Sequence, residues 1–305
     1  MENDWLYEFQ TYIKKFALLI ILILIILLII LVINWYHKTK EINRLIHHIK
    51  NLQLYWKKKM TIKATYYGAN GWLIELDKTR ILIDPWLNGD LTFPPGDWLI
   101  KGELGKEVEI PRSIDLLLLT QGQPDHAHPP TLEKINKSIP VIASQAASNV
   151  VSKIGFTEIN TLKPGEVFKK NNINIQATSG ASVPNIENGY IIESGQDSIY
   201  IEPHGFLDKQ IKPRNIDLLI TPVIDFSLPL AGKFIRGKTV LPQLLKLFNP
   251  TTVLASTTGG DITFTGLINN LIKVDGSVED KTLLKDSSAS LISPEPLKEY
   301  KFEKS

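Results

Sequence analysis

At 305 residues with 43 % hydrophobic side chains, the chain can hold a short membrane or linker segment plus one or two folded units, and it is too apolar to be disordered. Thirty-four Lys and Arg against thirty-two Asp and Glu leave a formal charge of only +2, so no global field selects nucleic acid as a partner. Cysteine is absent, which excludes disulfides, thiolate metal ligands and cysteine nucleophiles without fixing the compartment.

The first feature in chain order is the unbroken apolar run from Phe16 to Ile33, which as a helix spans ~27 Å, close to the hydrocarbon thickness of a bilayer. A cleaved signal peptide would have a shorter apolar core and a small-residue cleavage site, and Asn34-Trp35-Tyr36-His37-Lys38 offers none. The expectation is an uncleaved single-pass helix over residues 16–36, after a flank of residues 1–15, with Trp35 and Tyr36 at the interface. Lys and Arg are denser after the run (Lys38, Lys40, Arg44, Lys50, Lys57, Lys58, Lys59) than before it (Lys14, Lys15), which places the larger C-terminal part in the cytoplasm. Residues 37–59 then read as a basic amphipathic linker, with Ile42, Leu45, Ile46 and Ile49 at helical spacing. Neighbouring His47 and His48 point about 100° apart on a helix and read as solvated or interfacial, not as a metal site. Met60 directly precedes the next strand, so a start there would give a soluble cytoplasmic form.

From residue 60 to 286 the texture is that of a folded domain. Residues 61–67, 71–76 and 79–84 are strand-like runs separated by Gly68-Ala69-Asn70-Gly71 and Asp77-Lys78. Residues 87–111 form a loop rich in Pro, Gly and aromatics, expected to cover the core or wall a pocket. Asp115-Leu116-Leu117-Leu118-Leu119 reads as a buried strand, and Thr131 to Ile135 as the start of a helix. Further strands are expected at 141–144, 173–178, 189–193, 198–202, 218–224 and 252–256. Helices are expected at 145–154, 240–248, 265–273 and 277–285. The polar tail 287–305 reads as loose. There is no internal repeat, phosphate-binding glycine loop or Gly-x-Ser-x-Gly, and Ser179 and Ser182 have no adjacent His or acid to activate them.

Chemistry-bearing residues concentrate in the loop after the leucine strand, Thr120-Gln121-Gly122-Gln123-Pro124-Asp125-His126-Ala127-His128. A loop at the end of a buried strand is where α/β proteins place their sites. This stretch resembles the metal-binding loop of the metallo-β-lactamase-fold hydrolases, His-x-His-x-Asp-His, with Asp125 and His126 on the last two positions and Gln121 and Gln123 on the two earlier histidines. The hairpin Gly71 to Trp86, ending in Asp84-Pro85, resembles the opening of the same fold. Glu202-Pro203-His204-Gly205 and Thr258-Gly259-Gly260-Asp261 are similar to a variant subgroup whose loop reads Gln-Gly-x-x-Asp-His. Over Met60 to Lys285 the resemblance implies a four-layer αββα sandwich, of mixed α/β (α+β) class.

The resembled family holds two metals, and the departures here bear on both. Neutral carboxamides at Gln121 and Gln123 are far weaker ligands than imidazole, so the first metal position is lost or weakened. Gly180-Ala181-Ser182 stands where a third histidine is often found, and Thr257-Thr258 where a last one is. A reduced, single-metal site is the expectation, with Asp125, His126 and His204 as ligands, Glu202, Asp261 and Asp84 as possible additional members, and Asp125 and His126 in catalysis. Two imidazoles and a carboxylate suit Zn, or alternatively Fe or Mn. Such a site hydrolyses an ester- or phosphoester-type substrate, here small and, given the membrane helix, amphiphilic. The alternative is a metal-free, non-catalytic module that binds a small molecule or protein through Gln121 and Gln123, with Asp125 and His126 kept to stitch the loop; a purely structural membrane protein is a third. His128 is expected to hydrogen-bond just ahead of the helix.

Overall fold

The computed structural model of the protein describes residues 2–59, 61–182, 186–257, 259–285 and 287–303. The chain divides into two units, residues 1–59 and 60–305. In the first, Glu2–Lys59 is one continuous helix. Neither Gly nor Pro occurs in it, so nothing interrupts its internal hydrogen bonding, and residues 16–36 and 37–59 share one rod. Its segment Leu22–Asn51, of mean hydropathy 2.0, is long and apolar enough to cross a membrane. Leu22 through Ile33 are all exposed.

The second unit is built on two seven-stranded sheets. The first runs Glu299–Glu303, Thr61–Gly68, Gly71–Leu76, Thr79–Ile83, Leu116–Leu119, Val141–Ala143, Ile159–Thr161. The second runs Ser290–Ile292, Thr252–Ala255, Leu218–Thr221, Asp197–Ile201, Ile186–Ser194, Ile173–Ser182, Val167–Lys170. Alternation decides which face each side chain takes. Leu116 and Leu118 join Ile81, Ile83, Ile175, Ile192, Ile199 and Ile220 in the core between the sheets. Leu117 and Leu119 face the other way, toward Leu132 and Val151 of the helices Pro129–Glu133 and Gln145–Ile154. A strand buried on both faces needs apolar residues at every position, which is why four leucines stand in a row. On the far side, Leu219 and Val253 pack on Leu241, Leu244 and Phe248 of the helix Gly237–Phe248. The layers are therefore helix, sheet, sheet, helix, the αββα sandwich that the sequence resemblance implied.

Two expected helices are absent. Residues 265–273 do not form one: Ile262–Thr265 pairs antiparallel with Lys101–Leu104, and Lys273–Asp275 pairs with Asp225–Leu228. Gly266 (φ +103°) takes a left-handed conformation against the backbone of Leu99 and Ile100, where a Cβ would lie 2.8–2.9 Å from their atoms. Residues 277–285 hold only a single 3₁₀ turn, Lys281–Leu284, capped by Asp280. The tail also departs from expectation. Ser290–Ile292 adds in parallel to Thr252–Ala255, and Glu299–Glu303 adds antiparallel to Thr61–Gly68, so the last residues close one edge of each sheet. Ile292 and Phe302 reach the inter-sheet core.

A chain ending at residue 286 should consequently lose roughly 3–6 kcal/mol of unfolding free energy, from the exposed Ile292 and Phe302 side chains and two unpaired sheet edges. Urea unfolding of the truncated and complete chains checks this; coincident midpoints would show that the tail contributes nothing.

Candidate functional site

Several strands of both sheets end at one rim, and the residues just past their carboxyl ends meet there: Asp84 after Thr79–Ile83, Thr120 to His126 after Leu116–Leu119, and Glu202 to His204 after Asp197–Ile201. Asn188 N–H donates to Thr120 O at 3.0 Å and Tyr190 O–H to Leu119 O at 3.2 Å, tying the second sheet to the loop of the first.

The loop is shaped by close backbone approach. A Cβ on Gly122 would lie 2.7 Å from the carbonyl carbon and oxygen of Ala146, so only glycine lets the loop rest on the first turn of the helix Gln145–Ile154. The carbonyl of Gln123 then accepts from His126 N–H (3.0 Å) and Ala127 N–H (2.7 Å), turning the His126 side chain inward. Asp84 sits at φ +40°, an uncommon conformation for a non-glycine residue, directly before Pro85. Its buried carboxylate accepts from Thr120 N–H (2.8 Å) and from the Thr120 hydroxyl, and lies 2.8 Å from His126 Nδ1. One carboxylate thus fixes both the start of the loop and the orientation of its imidazole. Nε2 of His126 is left facing Asp125 Oδ2 at 3.3 Å, with Asn70 Nδ2 also 3.3 Å away.

His204 comes to the same place from the other sheet. Its ring lies 5.2 Å from that of His126, with the planes 28° apart. Its Nδ1 is 2.7 Å from Glu187 Oε2. Glu187 is buried at the start of Ile186–Ser194; its Oε1 accepts from Ala181 N–H, and its Cγ occupies space that a side chain on Gly180 would fill. Glu202, likewise buried, hydrogen-bonds to Glu187 and accepts from the backbone N–H of Phe206 (2.6 Å) and of His204 (3.3 Å).

The electrostatics follow from that geometry. Burial alone would lower the His126 pKa, but Asp125 and Asp84 on either side hold it well above the ordinary histidine value. Burial, and then the charge on His126 across the stack, push His204 down to about 4. Burial pushes Glu187 up to about 7, and burial together with Glu187 pushes Glu202 well above the carboxylate range, so the pair titrates as a unit. Asp125 is the opposite case: burial opposes its ionisation, but His126 more than offsets this and keeps its pKa low.

Donor atoms of His126, Glu187 and His204 lie within 4.8 Å of one another. Two imidazoles and oxygen donors form a set that suits a divalent transition metal. The charge count points the same way. Asp84, Asp125, Glu187 and Glu202 crowd two imidazoles that stand face to face and cannot both be charged, so the site carries more carboxylate than its own cations balance. Asp84, 2.8 Å from Nδ1 of His126, is placed where a carboxylate would hold a proton on Nδ1 and so leave Nε2 available to a metal. The residues present therefore fit a bound cation. The Asp125 side chain, one quarter exposed, marks the open side.

Of the residues singled out in the sequence, Asp84, Asp125, His126, Glu202 and His204 are brought together. Asp261 is not: it is exposed, and its carboxylate lies over Gly105. Gln121 is fully buried and Gln123 half-buried. His128 bonds Thr131 Oγ1 (3.0 Å) and Asp90 O (3.1 Å) and packs on Trp86, a structural role. Glu187 is not singled out by the sequence, where the expected strand starts only at Gly189. The available signal was the pair Gly180 and Gly189: a Cβ on the first would meet Glu187, and one on the second would lie 3.3 Å from Glu202 Cγ.

The family model described as a beta-lactamase superfamily domain matches residues 63–256, more than half of the chain. A UPF0173 metal-dependent hydrolase of Paracoccus denitrificans (strain Pd 1222) is 25 % identical over 151 residues, covering 46 % of this chain and 62 % of its own length. One from Cereibacter sphaeroides (strain ATCC 17025 / ATH 2.4.3) is 24 % identical over 150 residues, covering 46 % and 61 %. The chain thus spans less than two thirds of the length of these relatives. Among solved structures, Igni18, a metallo hydrolase of the archaeon Ignicoccus hospitalis KIN4/I, superposes with a TM-score of 0.54 at 16 % identity, covering 80 % of this chain and 100 % of its own. The metallo-beta-lactamase fold protein YhfI of Bacillus subtilis gives 0.54 at 15 % identity, covering 80 % and 100 %. At such identities the likeness is one of fold.

Replacing Asp84 by Asn should lower the His126 pKa toward the ordinary histidine value, which NMR titration of the ring would read, and should cost about 2–4 kcal/mol in stability. Because His126 is raised in the folded protein, its ionic contribution is complete below about pH 6.5 and is lost as pH rises through the folded value; in Asp84→Asn that loss moves to lower pH.

Proposed function

The chain belongs to the beta-lactamase superfamily, and on that premise we propose that it is a metal-dependent hydrolase tethered to a membrane, with one divalent cation held by His126, His204 and Glu187 and approached past Asp125. The observation that carries this is the convergence of donor atoms from His126, Glu187 and His204, drawn from both sheets, inside a surplus of carboxylates. Nitrogen and oxygen donors favour Zn, with Fe or Mn as alternatives. Such a cation supplies Lewis acidity and makes water nucleophilic near neutral pH.

The chain's own residues have distinct tasks. Asp84 and Thr120 hold His126 so that Nε2 faces the donor cluster. Asp125, with its low pKa and partial exposure, is placed to accept a proton at the mouth of the site. Glu202 orients Glu187, with backbone N–H groups of Phe206 and His204 holding it in turn. A single-metal site of this kind acts on an ester- or phosphoester-type bond of a small molecule. The helix containing Leu22–Asn51 supports a substrate gathered at the bilayer, hence amphiphilic, and the density of Lys and Arg after it supports a cytoplasmic domain. A start at Met60 would release the domain as a soluble form. The rival reading, a metal-free binding module, leaves the buried carboxylates without a compensating cation and confines Gln121 to the interior.

Elemental analysis of purified protein should find close to one transition-metal ion per chain, removed by chelator, and absent from His126→Ala and strongly reduced in Glu187→Gln. Folded, metal-free protein whose thermal unfolding is indifferent to added Zn or Mn would favour the binding module.

The pH dependence of metal affinity has a definite sign. Glu187, raised to about 7 without metal, and His126, raised well above the ordinary histidine value, must each release a proton to coordinate, so affinity should rise with pH through about 7 and go on rising, less steeply, until His126 is neutral. Each proton released corresponds to roughly tenfold per pH unit below the pKa of its group. Competition titration with a chromophoric chelator at pH 6 and pH 8 reads this, and equal affinities at the two would remove Glu187 from the ligand set.

A further inference from the structure

Large apolar side chains are exposed at few places in the domain. Among the described residues from 61 to 303 there are eight: Trp98, Val167, Leu230, Phe264, Leu267, Leu271, Val274 and Leu297. All but Val167 and Leu297 belong to one feature, the two three-stranded accessory sheets and the turn 266–272 that links them. Trp98 is 63 % exposed, Leu267 53 % and Leu271 44 %, while Leu230 is entirely so.

These residues form a continuous margin. Leu267 N–H donates to Trp98 O at 3.0 Å and Ile268 N–H to Leu99 O at 2.9 Å, which lays the turn along the Trp98 loop. Leu271 follows one turn later. In the neighbouring sheet Val274 pairs with Phe226 and Lys273 with Ser227, so the hairpin tip carrying Leu230 runs on toward the Leu271 end of the same edge. Both sheets are rooted at the site. Arg236, at the end of that hairpin, donates its N–H to His204 O at 2.9 Å, and Thr257, just ahead of Ile262–Thr265, donates its hydroxyl to Pro203 O at 2.8 Å.

Scattered apolar residues need no explanation, but a cluster confined to loop tips beside a site marks a contact surface. Its shape separates the possible occupants. A second copy or a folded partner calls for a broad, well-packed face, whereas here single leucines and a tryptophan project from turns, as in segments that insert shallowly among lipid headgroups. Charge leaves the apolar tips as the contact: Lys101, Lys233, Arg236, Lys238 and Lys273 lie beside Asp97, Glu103, Asp225, Asp261 and Asp275, largely paired with one another, so the border is mixed and near neutral. The membrane-crossing segment Leu22–Asn51 keeps a bilayer within reach of every complete chain.

We propose that the accessory sheets are a second, peripheral membrane contact, which sets the rim carrying His126 and His204 against the headgroup layer, so that the substrate is a bilayer-resident amphiphile taken directly from the lipid surface. The proposal rests on the tethered-hydrolase reading above and adds to it the face through which substrate arrives.

Because the chain has no cysteine, single nitroxide labels can be placed in the complete chain at Leu230→Cys, Leu267→Cys and Leu271→Cys, with Ser152→Cys on the helix Gln145–Ile154 as an exposed control. The proteins are reconstituted in phosphatidylcholine–phosphatidylglycerol vesicles, and collision with oxygen and with a water-soluble nickel chelate is measured by electron paramagnetic resonance. The expected result is a several-fold higher oxygen-to-nickel ratio at 230, 267 and 271 than at 152. Equal ratios at all four positions would overturn the proposal, and so would loss of both kinds of collision at the three, which signals burial against protein. A carbonate wash and a metal assay on the same vesicles test the underlying reading separately. Retained, metal-loaded protein with water-exposed labels sinks the docking face alone. Protein washed off or metal-free sinks the tether or the metal site, whatever the labels report.

Discussion

Four carboxylates and two imidazoles share the rim of the sandwich, and the balance of their charges governs what that rim can be. Asp84, Asp125, Glu187 and Glu202 surround His126 and His204 at hydrogen-bonding or ion-pairing distance, all but Asp125 buried from water. Desolvated charges of one sign are tolerated only if they take up protons or find a cation. Without a cation the first course is favoured: burial raises the pKa of Glu187 and of Glu202 beside it, and Asp125 and Asp84 raise that of His126. A divalent ion relieves the same surplus while releasing those protons, which makes metal binding and protonation alternatives at one set of atoms.

That arrangement depends on the fold at two levels. The apolar core between the sheets fixes where strand ends lie, so residues from distant parts of the chain arrive at the rim already oriented. Glycines then set the spacing. Gly122 lets the loop sit on the helix behind it, and Gly180 leaves room for Glu187. Neither glycine bears chemistry, yet a methyl group at either would push against backbone or against a buried acid, and the donor atoms would separate by amounts that metal geometry does not forgive.

Local pattern was enough to read the leucine strand, the paired hairpins at 61–84 and the helix at 145–154, because period-2 and period-3.6 burial are written in neighbouring residues. Asp125, His126 and His204, which the fold brings side by side, were singled out by the resemblance to the family's loop and not by such periodicity. Glu187 escaped, since its significance lies in contacts with Gly180, Glu202 and His204 that no local pattern carries. The misread helix at 265–273 is more informative. Leu267, Ile268, Leu271 and Ile272 have the spacing of a buried helical face, but Gly266 and Gly276 break the segment, and Lys101–Leu104 and Asp225–Leu228 take its ends into sheets. Of the apolar residues that imitated a core-facing stripe, Leu267 and Leu271 are instead exposed, and Ile268 and Ile272 only half-buried. In the tail, Tyr300 and Phe302 alternate with Glu299, Lys301 and Glu303, a strand pattern masked by its polar half.

The reduced character of the site also has a structural reason. Where the resemblance implies a third imidazole, Gly180 stands, and its missing side chain is what admits Glu187 beside His204. Where it implies a last one, the hydroxyl of Thr257 is committed to Pro203 O and its N–H to Ala69 O. Gln121, in place of the first histidine of the loop, is buried and neutral. Where the resemblance implies imidazoles this chain has glycine, threonine and carboxamide, while donor atoms of His126, Glu187 and His204 lie within 4.8 Å of one another. On the proposed reading one cation would satisfy that set, and a second would find only carboxamide and hydroxyl groups, too weak to strip it of water.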